Sequence, residues 1–258
     1  MGQEPAPAEQ ELDTAKQRLK FANLVYLAGA LREECLRRGK GLRVLDVGCG
    51  PGNLAHFSGL DSCRWFGLDL WEHQLRQAAE KGRYEQLFQV NLVRGLPFRS
   101  EWFDLVVCNE VLMYLPNATE ILHEFNRILR PEGKVFVYNP ISWIPAAAGR
   151  VRRWVRKIYQ EDRTVSLDTQ TDWKSAQRAC RITYYSCKSM KEVVAAAGFE
   201  VVGVTGFRLF RNRIRLMARL EAFPWYRATT GFLASRYPFL ASDVLITARK
   251  ADGHTTNL

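Results

Sequence analysis

The sequence predicts an α/β fold built on a seven-stranded sheet, mostly parallel with its last strand antiparallel, and with helices on both faces. Three observations carry that expectation. A short apolar strand, Arg43 to Val47, runs into the turn Gly48-Cys49-Gly50-Pro51-Gly52 and then into a helix. Apolar runs of strand length alternate with helical patterns as far as residue 139, the rhythm of a parallel sheet covered on both faces. The closing run, Asp243 to Ala248, follows a strand at Glu200 to Thr205 and returns beside it, which makes it antiparallel.

The elements follow in order. From 9 to 38 Leu12, Ala15, Leu19, Ala22, Tyr26 and Ala30 recur at three- and four-residue steps, a helix stopped by Gly39 and Gly41. Residues 1–8 are expected to be disordered. After the first strand a helix is expected from Asn53 to Gly59, then strand two from Arg64 to Leu70 and a helix over 71–81. Gln86 to Val90 reads as strand three and Phe103 to Asn109 as strand four, centred on Leu105-Val106-Val107. A helix from Ala118 to Leu129 and the turn Pro131-Glu132-Gly133 lead to strand five, Lys134 to Tyr138. The rhythm then breaks. Residues 140–185 and 207–240 are insertions rich in arginine and aromatic residues, separated by a helix from Ser189 to Ala197 and strand six. The whole reads as one domain over 1–258, Rossmann-like in its sheet, with a cofactor-binding core at 43–139 and helical lid insertions.

Composition narrows the function classes. The 47% apolar and 12% aromatic content of the 258 residues suits a globular core. No stretch approaches the ~18 uninterrupted apolar residues of a membrane span, and Met1 to Gln10 lacks the basic start and apolar centre of a signal peptide. A cytoplasmic protein is the expectation. The six cysteines (35, 49, 63, 108, 180, 187) form no C-x-x-C pair, so they are expected to be reduced and to hold neither zinc nor a disulfide framework. No set of His, Cys or carboxylates has metal-ligand spacing, so no metal is expected. The charge is lopsided: residues 1–141 carry 17 Lys/Arg against 18 Asp/Glu, residues 142–258 carry 20 against 9. The net +10 therefore comes from the second half, where an anionic partner or surface would be met.

The glycine turn is the chemically informative feature. Glycine reaches backbone angles and close approaches that a Cβ would block, and a strand–turn–helix of this kind makes a nucleotide-type cofactor site. The spacing is G-x-G-x-G, whereas dinucleotide enzymes use G-x-G-x-x-G, and Pro51 removes an N–H that a diphosphate would use. Asp46 closes the first strand and Asp69 closes the second 23 residues later, where a carboxylate accepts hydrogen bonds from ribose hydroxyls.

The stretch Val44-Leu45-Asp46-Val47-Gly48-Cys49-Gly50-Pro51-Gly52 closely resembles the cofactor motif of class I S-adenosylmethionine (SAM)-dependent methyltransferases. Leu96-Pro97-Phe98 with Trp102-Phe103-Asp104, then Asn109-Glu110-Val111-Leu112-Met113-Tyr114-Leu115 and Ile128-Leu129-Arg130-Pro131-Glu132-Gly133-Lys134, are similar to successive motifs of that family's quinone and small-molecule subgroup. The resemblance covers 43–139 well and 188–206 loosely. It implies SAM as cofactor, with Asp46 toward the ammonium group, Asp69 on the ribose and Leu92 against the adenine. Asn91 stands where the family commonly has an Asp that reads the adenine amino group, and its amide oxygen can still accept that hydrogen. Gly48, Cys49, Gly50, Gly52, Leu70 and Asn109 complete the implied cofactor set. Tyr114 stands where the family often has His.

Methyl transfer from a sulfonium needs donor and acceptor aligned near ~3 Å, and a base only if the acceptor must lose a proton early. His56, His73 and His123 fall within helices and His254 in the tail, so they read as surface or packing residues. Tyr114 and Asn139, just past strands four and five, are the candidates for contact with the acceptor. Asn139-Pro140 does not match the Asn-Pro-Pro-aromatic motif of amino-group methyltransferases, which belongs after strand four.

The insertions repeat one design. In 150–159 Arg150, Arg152, Arg153, Arg156 and Lys157 oppose Val151, Trp154, Val155 and Ile158 at helical spacing. In 208–219, Arg208, Arg211, Arg215 and Arg219 fall on one helical face opposite Leu209, Phe210, Ile214, Leu216, Met217 and Leu220. Such helices suit an anionic membrane surface, a roof over the active site, or RNA. The expected protein is a SAM-dependent methyltransferase acting on a small or lipid-like acceptor, an isoprenoid quinone or glycolipid precursor among them. The alternatives are a tRNA or protein methyltransferase, or a non-catalytic SAM-binding protein.

Overall fold

The computed structural model describes residues 22–141, 183, 185–207 and 223–251. In chain order the elements are α1 (Ala22–Arg38), β1 (Arg43–Val47), α2 (Asn53–Phe57), β2 (Arg64–Asp69), α3 (Glu72–Glu80), β3 (Tyr84–Gln89), β4 (Phe103–Asn109), α4 (Ala118–Ile128), β5 (Leu129–Pro140), α5 (Cys187–Ala196), β6 (Phe199–Phe207), α6 (Pro224–Arg236) and β7 (Asp243–Lys250). Single 3-10 turns stand at Leu92–Arg94, Leu112–Tyr114 and Pro238–Leu240. The expected start at 1–8, the helix over 9–21, the amphipathic stretch 150–159 and the arginine stripe 208–219 lie outside the described residues.

One seven-stranded sheet has the order β3-β2-β1-β4-β5-β7-β6. The pairs from β3 to β5 are parallel, and β7 inserts antiparallel between β5 and β6. The strand order reverses between β1 and β4, the place where open α/β sheets hold ligands beyond their strand ends.

Alternation along the central strands builds two cores. Leu45, Phe66, Val106 and Val137 face α4 and α5. Val44, Trp65, Leu105, Phe136 and Tyr138 face α1 and α2. The family of apolar side chains on α4, Ile121, Leu122, Phe125 and Ile128, is fully covered, as its three- and four-residue spacing requires. Helix α1 is tied to the sheet by ion pairs at its end, Glu34 with Lys134 at 2.7 Å and Arg38 with the buried Asp104 at 3.5 Å. Its start reaches the end of β6 on the same face of the sheet, where Tyr26 stacks on Phe207 with ring centroids 3.9 Å apart. The Cys35 and Cys63 thiols meet at 3.0 Å between α1 and β2, both as free cysteines.

Several boundaries differ from the sequence expectation. Strand β3 begins at Tyr84, two residues early, and strand β5 begins at Leu129 instead of after the Pro131-Glu132-Gly133 turn. That turn is a local break in register: Phe103 pairs with Leu129, Leu105 pairs with Lys134, and Glu132 adopts a φ of 61°. Helix α2 spans only five residues, ending at Phe57.

Candidate active site

The turn after β1 has the geometry its glycines allow. Gly48, Gly50 and Gly52 take φ values of 66°, 53° and 76°. At Gly48 an added Cβ would lie 2.3 Å from Cγ2 of Val111, and at Gly52 it would lie 2.9 Å from the ring of Tyr84. The turn is locked to β2 by Cys49 N–H donating to the Leu68 carbonyl at 2.9 Å. Cys49 is buried, and burial holds its thiol protonated, so it fills space in the turn.

Asp69 joins the turn to the start of α3. Its Oδ2 accepts from Gly50 N–H at 2.9 Å and its Oδ1 from Trp71 N–H at 3.0 Å. Burial raises its pKa and the backbone donors oppose that rise. Each oxygen keeps a second lone pair, so the carboxylate can still accept from two neighbouring hydroxyls. Leu70 follows it, half-buried.

Asp46 is 2% exposed, and its Oδ2 accepts from the Tyr84 hydroxyl at 2.8 Å. Burial pushes its pKa up to about 7, with the nearby Asp69 charge adding to the rise and the Tyr84 hydrogen bond opposing it. A carboxylate so placed, beside a second carboxylate, is built to receive a cation. The side-chain oxygen Oε1 of Gln74 is buried without a hydrogen bond and stands 3.8 Å from the Cβ position of Gly50. Two buried carboxylates and an unspent amide oxygen around an open glycine turn fit a ligand carrying both an ammonium group and a ribose.

Other expected residues fall around the same strand ends. The Oδ1 of Asn91 accepts from Val93 N–H at 3.1 Å, capping the 3-10 turn that carries the buried Leu92. Asn109 ends β4, and its Oδ1 accepts from Asn23 Nδ2 at 3.1 Å, which brings the start of α1 to the site. Tyr114 sits half-buried in the 3-10 turn after β4. Asn139, the last residue but one of β5, has no exposed surface, and neither its Oδ1 nor its Nδ2 has a hydrogen-bond partner. His73 and His123 are exposed, and His56 is half-buried edge-on to Phe57. No group of three or more His, Cys, Asp or Glu gathers as a metal site among the described residues.

Tyr84 is the site residue that sequence reasoning missed. The signal was Gly67 inside strand β2, since a strand glycine often marks a close approach. A Cβ there would lie 2.9 Å from Cε1 of Tyr84 and 3.0 Å from the Cys49 sulfur.

The fold and this site define a Rossmann-like domain for a SAM-type cofactor. Residues 45–137 match the family model described as "Methyltransferase domain", which spans the turn, both carboxylates and strands β1 to β5. The ubiquinone biosynthesis O-methyltransferase of Pseudomonas syringae pv. tomato is 31% identical over 121 residues, 42% of this chain and 50% of that protein. The protein of the same name from Salmonella paratyphi A is 30% identical over 117 residues, 42% of this chain and 48% of the relative. The chain thus spans about half the length of the curated relatives it matches. Among solved structures, the [4+2]-cyclase SpnF superposes with a TM-score of 0.59 at 20% identity, covering 88% of this chain and 81% of that one. A putative methyltransferase from Bacillus halodurans gives 0.56 at 17% identity, covering 90% and 99%. These two likenesses concern the fold. Residues 45–137 are thus similar to a methyltransferase domain, and the cofactor such a domain implies is SAM.

Among the described residues no helix is long and apolar enough to cross a membrane.

Proposed function

We propose that the protein transfers the methyl group of SAM to a hydroxyl of a small, quinone-related or lipid-like acceptor. The observation that carries this reading is the pair of buried carboxylates, Asp46 and Asp69, flanking the glycine turn at the ends of β1 and β2. The names of the two bacterial relatives support the acceptor class.

When bound, SAM supplies a methyl group made electrophilic by the positive sulfur. The chain's own share is holding and excluding. Asp69 binds the ribose hydroxyls and Asp46 the ammonium group, while Leu92 lies against the adenine and Asn91 meets its amino group. Gly48, Cys49, Gly50 and Gly52 form the floor, with Leu70 and Asn109 at its edges. Asn139 presents an unspent donor and an unspent acceptor, the complement of a neutral hydroxyl or carbonyl. A buried amide left without partners costs ~1–3 kcal/mol, so a ligand that satisfies it gains affinity. Tyr114 stands at the next strand end as a second contact. Alignment of acceptor and donor between such contacts is what lowers the barrier of an in-line displacement.

Peripheral attachment to an anionic membrane belongs to the same proposal. Trp225, Phe232 and Phe239 are 63%, 68% and 60% exposed on α6 and the 3-10 turn after it, and the arginines 208, 211, 215 and 219 immediately precede them in sequence. Aromatic side chains beside cationic ones suit the headgroup region of a bilayer.

The decisive assay incubates the protein with methyl-labelled SAM and a fractionated metabolite and lipid extract. Label in a quinone-like or lipid fraction supports the reading. Label in tRNA or protein only would replace it with the nucleic-acid or protein alternative. Tight SAM binding with no label anywhere favours a domain that binds the cofactor without methylating. A solved structure of this fold bears the name of a cyclase, so the fold alone does not fix the reaction.

A further inference from the structure

We propose that Tyr84 is a positioning residue for the methyl donor, acting through Asp46: its hydroxyl fixes the carboxylate that receives the donor's ammonium group. The inference rests on the cofactor reading of the turn and deepens it.

The geometry is specific. Tyr84 starts edge strand β3, opposite Trp65 of β2, and Asp46 lies on β1, opposite Gly67. The tyrosine therefore reaches across the whole width of β2 to place its hydroxyl 2.8 Å from Asp46 Oδ2. It can do so because two glycines stand where side chains would block the ring. Added Cβ atoms at Gly52, in the cofactor turn, and at Gly67 would each come within 2.9 Å of it. Trp65 meets the ring edge-on, with centroids 6.4 Å apart. One side chain thus touches the turn, β2 and the carboxylate at once. A chain that needed only an apolar filler between β1 and β3 would have no use for a buried hydroxyl aimed at a carboxylate.

The bond sets both orientation and charge. With Oδ2 directed to Tyr84, Oδ1 is the oxygen left for a ligand. A phenol that donates to a carboxylate favours its ionised form, and an ionised Asp46 is what a cationic ammonium group needs. Asp46 is faced by Asp69 from β2, Tyr84 from β3, Cys49 from the turn and Cys108 from β4. Burial keeps both thiols protonated, and burial and then proximity to Asp46 push the Tyr84 phenol up, so it stays a donor. Asp69 opposes the charge on Asp46, and among these groups Tyr84 is the one that supports it.

The test is SAM binding by calorimetry between pH 5.5 and 8.5 for the wild type, Tyr84→Phe, Asp46→Asn and the double variant. Phenylalanine keeps the ring and removes only the hydroxyl. Wild-type affinity should rise as pH passes through about 7. Tyr84→Phe should bind about tenfold more weakly at pH 7, with the rise moved to higher pH. Asp46→Asn should lose the part of the pH profile that belongs to Asp46, so its curve also reports any other titration. The double variant should be no weaker than Asp46→Asn, since the hydroxyl then has no carboxylate to hold. A Tyr84→Phe protein within twofold of wild type at every pH overturns the proposal. So does a double variant in which the two losses simply add. A wild type that binds no SAM removes the cofactor reading itself, whereas binding untouched by Tyr84→Phe removes only Tyr84.

Discussion

Two regions of this molecule, the sheet up to Pro140 and α6 with the residues flanking it, use their aromatic residues in opposite ways. Up to Pro140, Trp65, Phe66, Phe98 and Phe103 are buried within the sheet's two cores. Beyond it, Phe223, Trp225, Phe232 and Phe239 are half or more exposed. The charge divides at the same place, nearly balanced before residue 142 and strongly positive after it. Helix α6 and the 3-10 turn after it pack against β6, the edge strand opposite the β3 edge and four strands from β1. The first stretch carries the glycine turn and its two buried carboxylates, and α6 with the turn after it carries exposed aromatic side chains.

The same substitution should separate the two regions most sharply. Gly48→Ala puts a Cβ 2.3 Å from Val111 in a residue at φ 66°. Backbone strain and overpacking together should cost about 2–5 kcal/mol, read as a fall in Tm and loss of SAM binding. Gly231→Ala, in α6 with nothing within 4 Å of its Cβ, should leave binding intact and raise helix stability by about 0.5–1 kcal/mol. Equal effects at the two positions would erase the contrast.

Asp46 gives a pH signature to the first region. Its folded-state pKa of about 7 lies above the ordinary aspartate value, so the folded protein holds a proton that the unfolded chain releases between about pH 4 and 7. Its contribution is fully present below about pH 4 and is lost as pH rises to about 7. Asp46→Asn cannot titrate. Without ligand it should be more stable than wild type at pH 8, by on the order of 2 kcal/mol, while binding SAM more weakly. Melting curves of parallel pH dependence in the two proteins would contradict this.

The smallest effects on stability belong to the exposed aromatics. Replacing Trp225, Phe232 and Phe239 with Ser should move stability by no more than about 0.5 kcal/mol per site and leave SAM affinity unchanged. Cosedimentation with anionic vesicles should fall, and should fall further with Arg208, Arg211, Arg215 and Arg219 changed to Gln. Wild-type protein that ignores such vesicles at low salt would confine the basic half to contact with solvent. A chelator should leave methyl transfer unaltered, and activity restored by a divalent ion after its removal would demand a metal site.

The legible parts of the sequence were those where a single chain segment carries its own physics. Strand β4 was read to the residue because its two faces are both buried and Phe103 to Asn109 is nearly continuously apolar. The turn was legible because its three glycines all take positive φ. Strand β3 was placed late because it is an edge strand of half-buried and exposed residues, and Tyr84-Glu85 at its start carries no apolar run. That error hid Tyr84, whose role depends on a glycine 17 residues earlier in a neighbouring strand. Asn139 was read by position at a strand end, but its two unpartnered amide atoms could be seen only in the fold. The register break at Pro131-Glu132-Gly133 was invisible because a turn signal and a bulge within a strand use the same residues.

The direct test of the cofactor site is a calorimetric titration of SAM into the wild type and Asp69→Ala at pH 8. The carboxylate at the end of β2 predicts a single site in the wild type. It predicts affinity weakened by about 1–3 kcal/mol in the variant, the range for a lost hydrogen bond to a charged acceptor. Equal affinity in the two proteins would remove Asp69 from the site and with it the placement of the donor at the ends of β1 and β2.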